Sequence, residues 1–329
     1  MVGRNELHQQ LRAQATELLV PLVAGREQSI CIVDPPRSAN CGDAALLLGQ
    51  LVFLREHFPH ATLRFIDYRN GGSEAMRLIA NASLLIFPGG GNFGDIWFEP
   101  HAFRVRVLDR FPHVPKLQLP QSISFSDPAK RDRTERAIAH QADFRLCVRD
   151  HKSLAYARAH FPCEPILCPD TAYFLPAFER DQPRCDVLAL LREDRERRAP
   201  HEAIFAQLQR AAGGSIEILD WAKPDSNILS SLDWRLDRLR NVLPDSRLIQ
   251  RTAFWLREQY ARARTDYGLA VLSRGRRVVT DRLHGLILSS ILGIPTTAFD
   301  TADGKLAAFY DTWLRGAPNL ALAERPDDL

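Results

Sequence analysis

Short apolar runs, each bounded by turn-forming or polar residues, recur along the chain, and stretches with helical spacing separate them. Runs of about four to eight apolar or β-branched residues suit buried strands. On that basis the sequence predicts strands at Ser29–Asp34, Thr62–Tyr68, Leu84–Pro88, Lys116–Leu119, Phe144–Val148 and Pro165–Cys168. It predicts helices over Met1–Gln28, Asp43–His57, Glu74–Asn81, near Pro100–Phe111, and over Asp127–Gln141 and Lys152–His160. The alternation pauses at Leu175–Arg184, which holds two prolines and mixed charges and reads as a linker. A second set follows: strands at Asp186–Leu191, Ser215–Asp220, Arg277–Thr280 and Pro295–Asp300. Its helices are Pro200–Ala212, ended by Gly213-Gly214, an Arg-rich stretch within Leu229–Gly268, Gly285–Leu292 and Lys305–Leu314. Regular strand–helix alternation predicts α/β architecture with parallel sheets, here as two Rossmann-like halves, 1–178 and 179–329. Their facing carboxyl-end loops would line a cleft.

Composition narrows the function. The 329 residues are 45% hydrophobic, enough for two cores, and the net charge is only +3. Without a basic stripe, nucleic acid is not an expected partner. The basic residues are mostly arginine, which grips carboxylates and phosphates bidentately. Six cysteines without a CxxC pair predict reduced thiols in a cytoplasmic protein rather than a zinc or redox motif. The N-terminal stretch has no signal-peptide core, and no run of 18 apolar residues predicts a membrane span.

Six segments stand where chemistry is expected. Asn40-Cys41-Gly42-Asp43 lies between the first strand and its helix, where free N–H groups face ligands, although plain capping explains it equally. Pro88–Asp95 (PGGGNFGD) follows a strand as a glycine-rich loop on which a sugar or phosphate could approach the backbone. Gly89, Gly91 and Gly94 also spell GxGxxG, with Asp109 downstream, but Trp97 and Pro100 argue against a prompt helix and so against a dinucleotide site. Arg149-Asp150 with Ser153 ends a strand, as do Pro169-Asp170 and Arg192-Glu193-Asp194; each also fits a solvated charged turn. The strongest segment is Thr280-Asp281-Arg282-Leu283-His284-Gly285, where a β-branched strand meets Arg, His and an apolar helix. In an extended register Arg282 and His284 would share a face, and Gly285 would let the helix pack close. Cation, imidazole and helix N-terminus together make an anion site with a proton donor.

In their order and spacing these motifs resemble the polysaccharide pyruvyl transferase family over about residues 29 to 310. The resemblance rests on Asn40–Asp43, Leu85–Gly91 (LIFPGGG), Pro120-Gln121-Ser122, Val148–Asp150 with Ser153, Pro169-Asp170, Arg192 with Asp194, Asp281–Gly285 (DRLHG), Asp300 and Lys305. It implies a GT-B-like fold. It implies transfer of the enolpyruvyl group of phosphoenolpyruvate onto two hydroxyls of a hexose, with phosphate released. Carried over, His284 and Arg149 are catalytic. Arg282, Leu283, Arg192, Lys305 and Gly285 bind the donor, and Asn40, Asp43, Gly90, Gly91, Asp95 and Gln121 the acceptor. No metal or other cofactor is implied. The acceptor is a hexose of an exopolysaccharide or cell-wall precursor, free or lipid-linked. A lipid-linked acceptor would bring the protein to the inner membrane face, with the Arg-rich helix around Arg235–Arg264 as a contact, though a solvated helical face explains that helix as well. The competing readings are a nucleotide-sugar glycosyltransferase and a non-catalytic homologue within a synthesis complex.

Overall fold

A computed structural model describes residues 6–67, 72–194, 201–212, 214–222, 247–300 and 303–323, with Leu232 and Arg235. Tyr68, Pro200, Gly213 and most of the stretch predicted as helix before Arg247 lie outside the described residues. Two parallel sheets carry the fold. The first has seven strands: β1 (Ser29–Val33), β2 (Thr62–Ile66), β3 (Leu84–Phe87), β4 (Gly90–Gly94), β5 (Lys116–Ser124), β6 (Phe144–Val148) and β7 (Ile166–Leu167). Their order is β2-β1-β3-β5-β6-β7, with β4 paired to β5. The second has five: β8 (Cys185–Leu190), β9 (Ile216–Leu219), β10 (Gly275–Thr280), β11 (Thr296–Phe299) and β12 (Leu320–Ala323), ordered β12-β11-β10-β8-β9. Strand order reverses at β1 in one sheet and at β8 in the other. Loops leaving the carboxyl ends diverge at such points and open a crevice.

The first sheet is covered on both faces, which is why its strands read as unbroken apolar runs. Cys31, Val33, Leu85 and Phe87 face one apolar cluster, while Ile30, Ile32, Leu84 and Ile86 face the other. The helices of this half are α1 (Glu6–Val23), α2 (Cys41–His57), α3 (Ser73–Ala80), α4 (Phe98–Arg110), α5 (Pro128–Ala139) and α6 (His151–His160). In α1, Leu11, Ala15, Leu19 and Val23 recur every fourth residue as one buried stripe. The second half contributes α7 (His201–Ala212), α8 (Arg247–Ser273), α9 (Leu283–Leu292) and α10 (Lys305–Phe309). A third apolar cluster joins the halves. It combines Leu11 of α1, Cys41, Ala45 and Leu48 of α2, and Tyr173 and Leu175 with Leu269 and Leu272 of α8 and Leu283, Leu286 and Ile287 of α9.

The structure corrects three expectations. The glycine-rich segment is not a loop, because Gly90–Gly94 forms β4 and pairs in parallel with β5. Gly94 has φ +150°, and a Cβ there would stand 1.7 Å from the Ser124 carbonyl, so only glycine permits this close pairing. Strand β5 does not stop at Leu119 but runs to Ser124, with its pairing to β6 shifting between Gln118 and Gln121. That irregularity accommodates Pro120, which has no N–H to give to the ladder. Finally, the Arg-rich helix is partly internal. Arg257 and Arg264 of α8 are 2% and 1% exposed, and buried Glu258 pairs with Arg55 of α2. Neither a membrane contact nor a solvated face describes these residues.

Candidate active site

A connected polar cluster stands in an otherwise apolar interior at the carboxyl ends of β5, β6 and β7. Arg149 follows β6 and is 1% exposed. Its Nη1 donates to Asp170 Oδ2 at 2.7 Å and its Nε to Ser122 Oγ at 2.9 Å. Ser122 passes the chain on, donating to Asp150 Oδ2 at 2.7 Å. Asp150 caps α6 by accepting from Ser153 N, and Trp313 Nε1 donates to the Arg149 carbonyl. Arg149 is therefore held at Nε and Nη1, which suits a cation that must be in place before an anion arrives.

Asp170 carries the link to the second half. It is fully buried and caps the short turn Thr171–Phe174 through Ala172 N. Burial alone would raise its carboxyl, but the His284 imidazole and then the Arg149 guanidinium outweigh that and hold it at about 2. His284 Nε2 lies 3.5 Å from Asp170 Oδ2, close enough for electrostatic attraction and too long for a well-aligned hydrogen bond. On its other edge the imidazole lies against Gly42, where a Cβ would come within 2.5 Å of Nδ1. The ring of one half thus rests on the α2 N-terminus of the other. Asn40 caps α2 through Gly42 N, and Asp43 accepts from Ser38 Oγ at 2.5 Å.

Gly91 in β4 sits opposite the cluster. A Cβ there would stand 3.4 Å from Arg149 Nη2 and 3.7 Å from Lys305 Nζ. Lys305 opens α10 and its Nζ lies 3.4 Å from Asp303 Oδ2. A small cavity is lined by Gly91, Ser122, Ser124, Lys152, Ser153 and Lys305, among others. Lys152 Nζ spans it by donating to the Asp303 carbonyl at 2.6 Å. Two lysines and three serines therefore line this water-sized space together with Asp150 and Asp303, and Arg149 Nη2 lies just across Gly91.

A second cluster occupies the crevice at β8. Arg282 is the N-cap residue of α9, 3% exposed, and its Nη2 donates to Asp220 Oδ2 at 2.6 Å, with Asp194 at 3.8 Å. Arg192 holds Asp194 with two bonds of 2.9 Å, and Asp281 accepts from Arg192 N at 2.9 Å. Burial raises the Asp281 carboxyl to about 6 despite both arginines. Arg282 and His284 do not share an extended face. The helix begins at Leu283, so Arg282 turns to Asp220 while His284, one turn-position on, reaches Asp170. Leu283 is buried in the joining core, and Gly285 lets α9 lie on Thr280 and Leu190, where a Cβ would clash at 2.6 Å.

The expected acceptor residues divide. Gly91 faces the cationic cluster, and Gly90 adopts φ +124° beside Leu46. Gln121 and Asp95 are committed to holding shape. Gln121 binds Pro88 O and Asn92 at both amide atoms. Asp95 accepts from Ser126 and Asp127 N–H groups and from Ser126 Oγ, which hold its carboxyl low against the upward push of burial. Sequence reasoning marked Asp170 only as one candidate strand end among several, gave Ser122 no role of its own, and did not single out Asp220 or Lys152. The signal for Asp170 was its place directly after a strand, yet its bridging role depends on two partners far along the chain. The GxGxxG reading fails on context, since Gly89 leads into a strand rather than a helix. Among the described residues, no group of three His, Cys, Asp or Glu is placed to hold a metal.

Comparison with known proteins places the chain among relatives of known family. Residues 40–303 match the family model described as polysaccharide pyruvyl transferase. EpsO of Bacillus subtilis is 30% identical over 92% of this chain and 90% of its own length. Pyruvyl transferase 1 of Schizosaccharomyces pombe is 28% identical over 88% of this chain and 70% of its own. A Klebsiella pneumoniae protein of uncharacterised function has the same fold, with TM-score 0.62 and 19% identity over 96% of this chain and 99% of that one. With residues 40–303, most of its length, matched by that family model, the chain belongs to the polysaccharide pyruvyl transferase family.

Proposed function

We propose that the protein transfers the enolpyruvyl group of phosphoenolpyruvate to two hydroxyls of a hexose, giving a pyruvate ketal and phosphate. The observation that carries this reading is the Arg149–Asp170–His284 chain, an imidazole and a fixed cation in one buried cluster beside Lys305. Phosphoenolpyruvate is a small, highly charged anion and calls for several preset donors. Charge-assisted hydrogen bonds contribute about 1.5–3 kcal/mol each. Arg149, Lys305 and Lys152 meet that need, with Arg282 and Arg192 shaping the second crevice and the start of α9. The paired halves are consistent with a GT-B-like arrangement, with the division near residue 178.

In this mechanism His284 protonates the methylene carbon, and positive character builds on the carbon bearing phosphate. The first sugar oxygen bonds there as its proton is lost. The carbon–oxygen bond to phosphate then breaks, and phosphate leaves against Arg149 and Lys305. The second sugar oxygen closes the ketal and gives up its proton. Of the two hydroxyl protons, one replaces the proton drawn from His284 and the other ends on phosphate. Asp170 steadies the imidazolium, and Asn40, Asp43 and the Gly91 backbone face the sugar. The acceptor is a hexose of an exopolysaccharide or cell-wall precursor, lipid-linked or free, reached at the cytoplasmic side of the membrane.

The test supplies phosphoenolpyruvate with glucosides, galactosides and mannosides, following phosphate release and product mass. Acceptor-dependent release with an acid-labile ketal product is the expected result. His284→Ala should lower turnover by about a hundredfold or more while retaining the native circular dichroism spectrum. Near-normal rates in that variant would refute the assignment of the acid, and a product carrying an added sugar from a nucleotide donor would refute the reaction.

A further inference from the structure

Two aromatic side chains just beyond β4 are partly exposed: Trp97 is 39% and Phe98 48% exposed. They follow β4 directly. Gly94 pairs with Ser124, a residue lining the cavity, and Asp95 N donates to the Ser124 carbonyl at 3.2 Å. Three residues of chain carry Trp97 at most about 11 Å from Gly94. The pair is therefore within one or two sugar units of the cavity. Its position is fixed from below. Asp95 is tied to Ser126 and Asp127, Trp97 is the N-cap residue of α4, and Lys130 Nζ lies 4.7 Å from the Phe98 ring centre.

We infer that Trp97 and Phe98 form a glycan platform, on which sugar units of the acceptor beyond the reacting hexose stack. This rests on the sugar-acceptor reading above and extends it from one hexose to a chain. Pyranose rings present an apolar C–H face and a hydroxyl edge. Aromatic faces that follow the polar Asp95–Ser126–Asp127 knot, with Lys130 against Phe98, answer both. Two side chains are too small an area for a stable protein partner, which needs about 1,200 Å². Asp95, Glu99 and Asp127 border the pair and disfavour an anionic lipid surface.

Calorimetric titration of the full chain with β-linked glucose, galactose and mannose tetrasaccharides and the matching monosaccharides provides the test. At least one tetrasaccharide should bind about tenfold more tightly than its monosaccharide. Trp97→Ala combined with Phe98→Ala should lose that preference, and Trp97→Tyr with Phe98→Tyr should keep most of it. Because both side chains are exposed, the melting temperature should change little. Equal binding by the Ala variant, or no tetrasaccharide binding by wild type, overturns the platform. Oligosaccharide binding that survives while sedimentation with anionic phospholipid vesicles is lost overturns it in favour of a membrane contact. Phosphate release from phosphoenolpyruvate is scored separately, so tetrasaccharide binding without pyruvyl transfer leaves the platform standing and the reaction refuted.

Discussion

At the scale of single residues, the site is a set of charges whose costs of burial are met by one another. Asp170 would be expensive alone in an apolar interior, and Arg149 and His284 make its ionised form the stable one. This fixes a pH dependence. Its folded value of about 2 lies below the roughly 3.9 expected of an unfolded chain. The native state gains from ionised Asp170 at any pH above about 4, and the gain disappears as pH falls towards 2. Asp170→Asn should therefore lower the melting temperature at pH 7, with the gap to wild type narrowing between about pH 4 and pH 2. A gap that stays constant across that range would show that the charge of Asp170 does not stabilise the fold. Asp281 runs the other way. With its carboxyl raised to about 6, its contribution weakens as pH rises through that value.

At the scale of elements, two helix N-termini meet. The first turn of α2 carries Gly42, and the first turn of α9 carries His284, whose ring fills the space a Cβ would need. Gly42→Ala should push the imidazole away from Asp170 without touching the core of either half. We expect turnover to fall by about tenfold or more, since small displacements of a catalytic group are costly. In a His284→Ala background the same change should have little further effect. Additive losses in the double variant would show that Gly42 acts elsewhere.

At the scale of the whole molecule, the two halves are held by an apolar core and by buried cations, among them Arg257 and Arg264 of α8. Arg264 of α8 donates from Nε to Ala39 O and from Nη2 to Trp221 O, at 2.9 and 2.7 Å, tying the loop before α2 to the end of β9. No shorter side chain reaches both carbonyls, and losing the guanidinium would take a charged donor from each, leaving Trp221 O only the weak Cys41 thiol. Arg264→Leu should cost about 2–4 kcal/mol in denaturant unfolding. A loss under about 0.5 kcal/mol would show that the joining core suffices alone. Among the described residues, no helix is long and apolar enough to cross a membrane.

The α/β class and most strand positions were legible in the sequence, because strands buried on both faces must be apolar throughout and helices must show a stripe. The positions of Arg149, His284 and Lys305 at strand and helix ends were legible too. Other features depended on distant segments meeting. The glycines of β4 read as a loop because the partner that makes them a strand, the far end of β5, lies about thirty residues on. Arg282 and His284 parted because the helix starts between them, and because each finds its own carboxylate, Asp220 or Asp170, on a different element. Arg257 and Arg264 looked solvated because local sequence does not reveal which carbonyls and carboxylates wait inside. Local pattern follows from each segment's own burial and so was decided by the sequence alone. Pairing of charges across the chain depends on which loops the two sheets bring together, and only the tertiary structure decided it.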